Sequence, residues 1–352
     1  MTIVHAVQNI AALKNSVKKQ HEYIASELND VLESARQTND GSLDESDFKK
    51  ITHYYGLAVP AILGNSLGVL RGFGMTKKER LTLTYQGAMT GLFDDFFDKY
   101  NLHFDDIKSF LDNPDKKKGS SSAEKLFLTF YKNALEYAAK PVVMVNYLRK
   151  VYEAQIESKK QAAPGLTQDE ILDITLKKGG LSVLFYRASM IHPFEEGEEE
   201  ALMQMGGLMQ FGNDIFDIYK DRNNHIQTLL TTTKHIAPIR KLFTAQQEKC
   251  FSLIKQLDYE LKNKKKCNEF CPLFALIMLD YHMPIKNGLE TAIEISQMIK
   301  KKEIPNIPVV GCTAFGAKDL VELWKNVGVV DILIKPLKLD KLENFFREWK
   351  FI

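Results

Sequence analysis

Through residue 262 the apolar positions recur three and four residues apart, and the alternation expected of strands is hard to find. The pattern predicts helices over roughly 3–36, 45–71, 76–99, 122–157, 168–191, 198–221 and 235–262. The breaks carry turn chemistry, at Asn39-Asp40-Gly41, Asn113-Pro114-Asp115, Ala163-Pro164-Gly165 and His192-Pro193. Lys116 to Ser122 reads as a flexible loop, and Pro60 as a kink within a helix. Beyond Asn263-Lys264-Lys265-Lys266 the period changes. Leu273 to Leu279, Pro308 to Thr313 and Ile332 to Ile334 are short apolar runs, separated and followed by helical segments at roughly 288–301, 317–327 and 339–349. The chain is expected to be mainly α: an all-α bundle over residues 1–262, then a small parallel α/β domain over 263–352.

Composition narrows the class without naming a function. At 352 residues, 45% apolar and 26% charged, the chain has an ordinary globular composition, and its net charge of +2 does not point to nucleic acid. Cys250, Cys267, Cys271 and Cys312 offer no disulfide framework and no zinc pattern, so a reducing, cytoplasmic setting is expected. The longest mostly apolar run, Leu57 to Leu70, is interrupted by Pro60, Asn65 and Ser66, so no membrane span is expected.

Two acidic helix ends carry the candidate chemistry. Thr76 and Glu79 form a capping-box pattern that opens a helix of about six turns. It ends in Gly91-Leu92-Phe93-Asp94-Asp95-Phe96-Phe97-Asp98, where carboxylates oppose the helix dipole. Asp94 and Asp98 stand one turn apart, with Gly91, Thr90, Gly87 and Arg80 behind them, a composition expected of a cavity wall. Oxygen ligands presented this way suit Mg²⁺, which binds through one or two carboxylates plus substrate phosphates. In the second helix Asn213, Asp217 and Asp221 recur every fourth residue, with Gly206 behind and Lys220 beside them. Acids at this spacing also suit a salt-bridged exposed helix, but Phe211, Ile215, Phe216 and Tyr219 surround them with apolar area. Gly179-Gly180 interrupts a helix capped by Thr167 and Glu170; close helix packing and ligand approach are equal readings of that pair. The acidic run from Glu195 to Glu200 reads as a helix start, where carboxylates suit the dipole.

GLFDDFFDKY resembles the aspartate-rich motif of class I isoprenoid synthases, and GNDIFDIYKD resembles the second metal motif of terpene cyclases in that superfamily. The resemblance spans residues 1 to 262 and implies an all-α bundle with its active site inside. It implies that Asp94 and Asp98, with Asp95 beside them, and Asn213, Asp217 and Asp221 bind Mg²⁺. Arg187, Lys220, Lys177 and Lys178 would contact the diphosphate. Phe93 and Phe97, with Phe185, Phe211 and Phe216, are candidates to steady a carbocation formed when an allylic diphosphate ionises. The sequence departs from chain-elongating prenyltransferases: Asn213 replaces the first acid of their second motif.

MLDYHMPIKNG, VVGCTAF and DILIKP together resemble the motifs of response-regulator receiver domains over residues 270–352. That resemblance makes Asp280 the phosphoacceptor, Thr313 the switch hydroxyl and Lys335 the phosphate-pairing lysine. It also implies a histidine kinase or phosphotransfer protein as partner. The first two strands of such a domain, with the acidic pair that holds its Mg²⁺, are not found upstream, so Asp280 is expected not to accept phosphate. Two functions follow for this fusion. One is a Mg²⁺-dependent enzyme acting on an isoprenoid diphosphate, of the terpene cyclase kind; the other is a phosphorelay protein whose helical half binds without catalysis.

Overall fold

A computed structural model describes residues 3–233, 235–260, 263–264, 277–280, 287–301, 309–313 and 318–334, with backbone alone for 3–14, 236, 277–280 and 318–320. In chain order its first helices are α1 (Ile3–Glu27), α2 (Asn29–Gln37), α3 (Glu45–Lys49), α4 (Tyr55–Ala58), α5 (Asn65–Arg71), α6 (Lys77–Asp98) and α7 (Phe104–Asp112). They are followed by α8 (Ser122–Tyr137), α9 (Pro141–Ser158), α10 (Gln168–Arg187), α11 (Glu198–Phe216), α12 (Ile218–Asn223) and α13 (Ile236–Gln256). No helix among the described residues is long and apolar enough to cross a membrane.

Local chemistry sets several boundaries where the sequence placed them. Thr76 Oγ1 accepts from the Glu79 amide at 3.2 Å while the Thr76 amide donates to Glu79 Oε2 at 2.8 Å, closing the expected box at the start of α6. Thr167 and Glu170 do the same for α10. Two expectations are corrected. The single helix expected over 122–157 is two, because Pro141 has no N–H to continue a helix and instead opens α9. The helix expected over 198–221 breaks at Asp217, whose φ and ψ are −88° and 5°. The stretch around Pro60 is π-helical over Val59–Gly64, and a second π segment, Lys50–Tyr54, was not foreseen. Helix α7 was also missed.

Helix α6 is buried around most of its circumference, with α8 on one side and α4 and the π segments on another. Phe96, Phe127, Phe130 and Tyr131 are fully enclosed between α6 and α8. On a further side α10 lies between α9 and α11, and α13 packs on α11.

The C-terminal segment has the expected α/β order: β1 (Ile277–Asp280), α14 (Gly288–Lys300), β2 (Val309–Thr313), α15 (Lys318–Asn326) and β3 (Asp331–Ile334). The three strands are parallel in the order β1-β2-β3, with Asp280 opposite Cys312 and Thr313 opposite Ile334. Asn287 caps α14 through a box with Glu290. Among the described residues β1 is an edge strand. The helix expected at 339–349 lies outside the described residues.

Candidate functional site

Helices α6, α9, α10 and α11 and the segment from Tyr55 to Leu63 enclose a cavity of about 360 Å³. Helical periodicity selects its lining. Met89, Thr90, Phe93 and Asp94 come from α6, Leu148, Val151 and Gln155 from α9, and Gly206, Met209, Gln210 and Asn213 from α11. Lys178, Ser182, Val183, Phe185 and Tyr186 come from α10, while Ala58, Val59, Ile62 and Leu63 complete an apolar wall.

The polar groups are concentrated around Asp94. Tyr55 donates to Asp94 Oδ2 at 3.4 Å, and the hydroxyls of Thr90 and Tyr186 are 2.8 Å apart. Burial pushes the Asp94 carboxyl up to about 6; Lys178 opposes the shift, and Asp98 and Asp95 add to it. The Asp94 charge in turn holds the Tyr55 hydroxyl well above its ordinary value, with burial adding. From the α11 side, Asp214 accepts from Thr175 Oγ1 at 3.0 Å and Gln210 Nε2 at 2.8 Å, and burial raises it to about 6 against those bonds. Asp221 is raised to about 7 by burial and then by Asp214 and Asp217. Lys178 opposes the shift at all three carboxyls, and Lys220 opposes it at Asp221 as well.

The structure divides the residues expected from sequence. Asp94, Phe93, Lys178 and Asn213 line the cavity together. Asp95 does not: one position on, it turns about 100° away and binds Lys50 Nζ at 2.5 and 2.6 Å. Asp98 is exposed and paired with Lys159 at 2.6 Å. Arg187 is buried and makes a two-point ion pair with Glu198 at 2.6 and 2.8 Å, while donating to the carbonyls of His192 and Pro193. It is a structural clamp, and the Glu195–Glu200 run that supplies Glu198 is structural too, as expected. Lys177 faces outward to Asp173 and Glu157. Lys220 is 70% exposed and 3.9 Å from Asp217. Phe97 packs in the core against Phe93, Phe104 and Tyr152. Asp217 stays near Asn213, whose Nδ2 donates to its Oδ2 at 3.2 Å, but the break there ends the regular ladder expected through Asp221.

The glycines on α6 are also reassigned. A Cβ on Gly87 would lie 2.4 Å from the Tyr55 carbonyl oxygen, and one on Gly91 2.9 Å from Lys50 Cβ, so at these two glycines the incoming chain fills the face, while Thr90 and Asp94 beside them line the cavity. Sequence reasoning placed Thr90 on the cavity wall behind Asp94, where the structure has it, but missed Tyr55, Gln155, Tyr186, Gln210 and Asp214 as site groups. Asp214 sat inside the quoted second motif; Tyr55 and Gln155 carried no local signal, because only the packing of α4 and α9 brings them in.

Among the described residues no three acidic, histidine or cysteine side chains converge as a metal site. Asp94 and Asn213 nevertheless line one cavity from α6 and α11, beside carboxyls whose pKa values are raised by burial and mutual repulsion. That donor set fits a cation held partly by protein oxygens and partly by ligand phosphate. In the C-terminal segment Asp280 and Thr313 end β1 and β2 at the same edge of the sheet, where parallel α/β sheets place their sites. Thr313 is fully buried. Lys335 lies outside the described residues.

Residues 253–347 match the response regulator receiver domain family. Over 75 residues, 21% of this chain and 31% of the relative, the chain is 31% identical to the probable C4-dicarboxylate response regulator DctR of Bacillus subtilis. It is 36% identical over 67 residues to the transcriptional regulatory protein PdtaR of Mycobacterium tuberculosis, covering 19% of this chain and 30% of that one. It is 31% identical over 77 residues to the autoinducer 2 sensor kinase/phosphatase LuxQ of Vibrio parahaemolyticus, 22% of this chain and 8% of the relative. The chain thus spans less than a third of the length of these relatives. No solved structure matches it. The family match opens in the last turn of α13 and does not reach the bundle before it, so the C-terminal segment carries the sequence of a receiver domain.

Proposed function

We propose that the chain is a phosphorelay-type signalling protein whose receiver segment docks a histidine kinase or phosphotransfer protein and whose helical body binds a ligand. The family match over residues 253–347 carries this reading. The parallel order of β1, β2 and β3 supports it, as do relatives named as response regulator and sensor kinase. Docking is expected without phosphate transfer, since the acidic pair that would hold Mg²⁺ beside Asp280 is not in the sequence upstream. Titration of the full chain with histidine-containing phosphotransfer proteins of the same genome tests it; saturable binding by one is expected, and none binding would remove the reading.

The cavity favours a second reading for the helical body, a Mg²⁺-dependent enzyme acting on an isoprenoid diphosphate in the manner of a terpene cyclase. Its support is that Asp94, Asn213 and Lys178 share one mostly apolar cavity with Phe93 and Phe185. Mg²⁺ held by Asp94 on one side and by Asn213, Asp217 and Asp221 on the other would neutralise charge on a leaving diphosphate. Lys178 orients the anionic head, the apolar wall excludes water, and the aromatic rings favour developing positive charge. Incubation with farnesyl or geranylgeranyl diphosphate and Mg²⁺ should release diphosphate. Asp94→Asn and Asn213→Ala should each lower that release about a hundredfold with helical content intact; wild-type rates in both would remove this reading.

A further inference from the structure

The stripe that α9 presents to the cavity is Leu148, Val151 and Gln155, spaced along one helical face. Two of these are apolar; the third is a primary amide. Gln155 is only 4% exposed, and its side-chain amide makes no hydrogen bond among the described residues; the Ser158 hydroxyl donates to its backbone carbonyl. The other buried glutamines use their amides within the protein. Gln20 donates to Gly56 O and Thr84 Oγ1, Gln86 to Phe185 O, Gln161 to Gln227 O and Gln204 to Gln246. The Gln155 amide opens on the cavity instead, so its two N–H donors are available to what enters there.

The end of the cavity reached by Gln155 follows from its neighbours on α9. One turn later Lys159 donates to the Phe97 carbonyl at 2.9 Å and pairs with Asp98, fixing this part of α9 against the acidic end of α6. Glu157 pairs with Lys177, next to Lys178 on α10. Gln155 therefore lies at the level of Asp94 and Lys178, where the polar end of a ligand would sit. A neutral amide suits that place: it offers two N–H donors to an anion, where a carboxylate would repel one.

We infer that Gln155 is a specificity-determining binding residue that donates to the anionic head of the cavity's ligand beside Lys178. The inference rests on the reading of the cavity as an isoprenoid diphosphate site. The test uses the full chain, calorimetric titration and two probes: farnesyl thiolodiphosphate, whose head resists ionisation, and farnesol, which has the same tail without the anion. Gln155→Leu should weaken thiolodiphosphate binding about tenfold, the loss of one charge-assisted hydrogen bond, and leave farnesol binding unchanged. Gln155→Glu keeps shape and polarity, so it reports even where Gln155→Leu does not fold, and it should weaken the thiolodiphosphate further while sparing farnesol. Undiminished thiolodiphosphate binding, or equal weakening of both probes, would overturn the assignment of Gln155. Failure of the unsubstituted chain to bind either probe would instead overturn the cavity reading and this inference with it.

Discussion

Asp94 and Asp95 are sequence neighbours with opposite roles, because successive helical residues point about 100° apart. One faces a cavity and the other anchors Lys50, which no spacing rule for metal ligands distinguishes. Arg187 is a similar case, a candidate anion contact that proves to be fully committed inside the protein. Arg187→Met leaves Glu198 buried and unpaired, so it should cost about 3–5 kcal/mol in urea unfolding. A variant of wild-type stability would return Arg187 to the list of ligand contacts. At Asp40 the reverse sign of pKa shift applies. Its carboxylate accepts from the Ser42 and Ser122 amides at 3.0 and 2.9 Å, and hydrogen bonds led by Ser42 hold it down to about 2. A depressed carboxyl contributes stability that is present above its unfolded value near pH 4 and lost as the pH falls through about 2. The melting-temperature gap between wild type and Asp40→Ala should therefore be open at pH 7 and narrow on acidification below pH 4. A gap independent of pH would show that Asp40 acts uncharged.

Between elements, backbone proximity decides the site. A Cβ on Gly206 would stand 2.4 Å from the Gly179 carbonyl oxygen, and one on Gly179 would stand 2.1 Å from that of Gly206. Close packing of α10 on α11 is therefore the physical reason for the Gly179-Gly180 pair, and both Gly179 and Gly206 also line the cavity. Gly206→Ala must push the two helices apart. A loss of about 1–3 kcal/mol by denaturant unfolding is expected, with a displaced Asn213. Unchanged stability would mean that the helices are not in contact there. The helix breaks at Pro141 and Asp217 differ in legibility: proline announces the first, while nothing in Phe216-Asp217-Ile218 announces the second.

For the molecule as a whole, the two halves touch where Tyr219 on α12 donates to Glu294 on α14. This contact joins the receiver segment to the helix that carries Asp221. The chemistry of the receiver itself is testable apart from docking. Beryllofluoride or acetyl phosphate at millimolar Mg²⁺ should leave Asp280 unlabelled, because phosphoryl transfer needs a metal held beside the acceptor. Rapid labelling would overturn that expectation and make the segment a working phosphoacceptor.

The sequence alone determined what depends on neighbours within a few turns. Helical period, the capping boxes at Thr76 and Thr167, and the strand–helix order after residue 277 follow from local backbone and side-chain chemistry, and the structure has each of them. It also pointed to Asp94, Lys178 and Asn213, which share the cavity. The tertiary structure decided which faces of those helices meet. It turned Asp95, Asp98 and Arg187 to Lys50, Lys159 and Glu198, and brought Tyr55 and Gln155 to the cavity from segments without a motif. The reason is physical: an ion pair or a shared cavity is set by helix packing across many residues, and spacing along one helix fixes only what that helix can present.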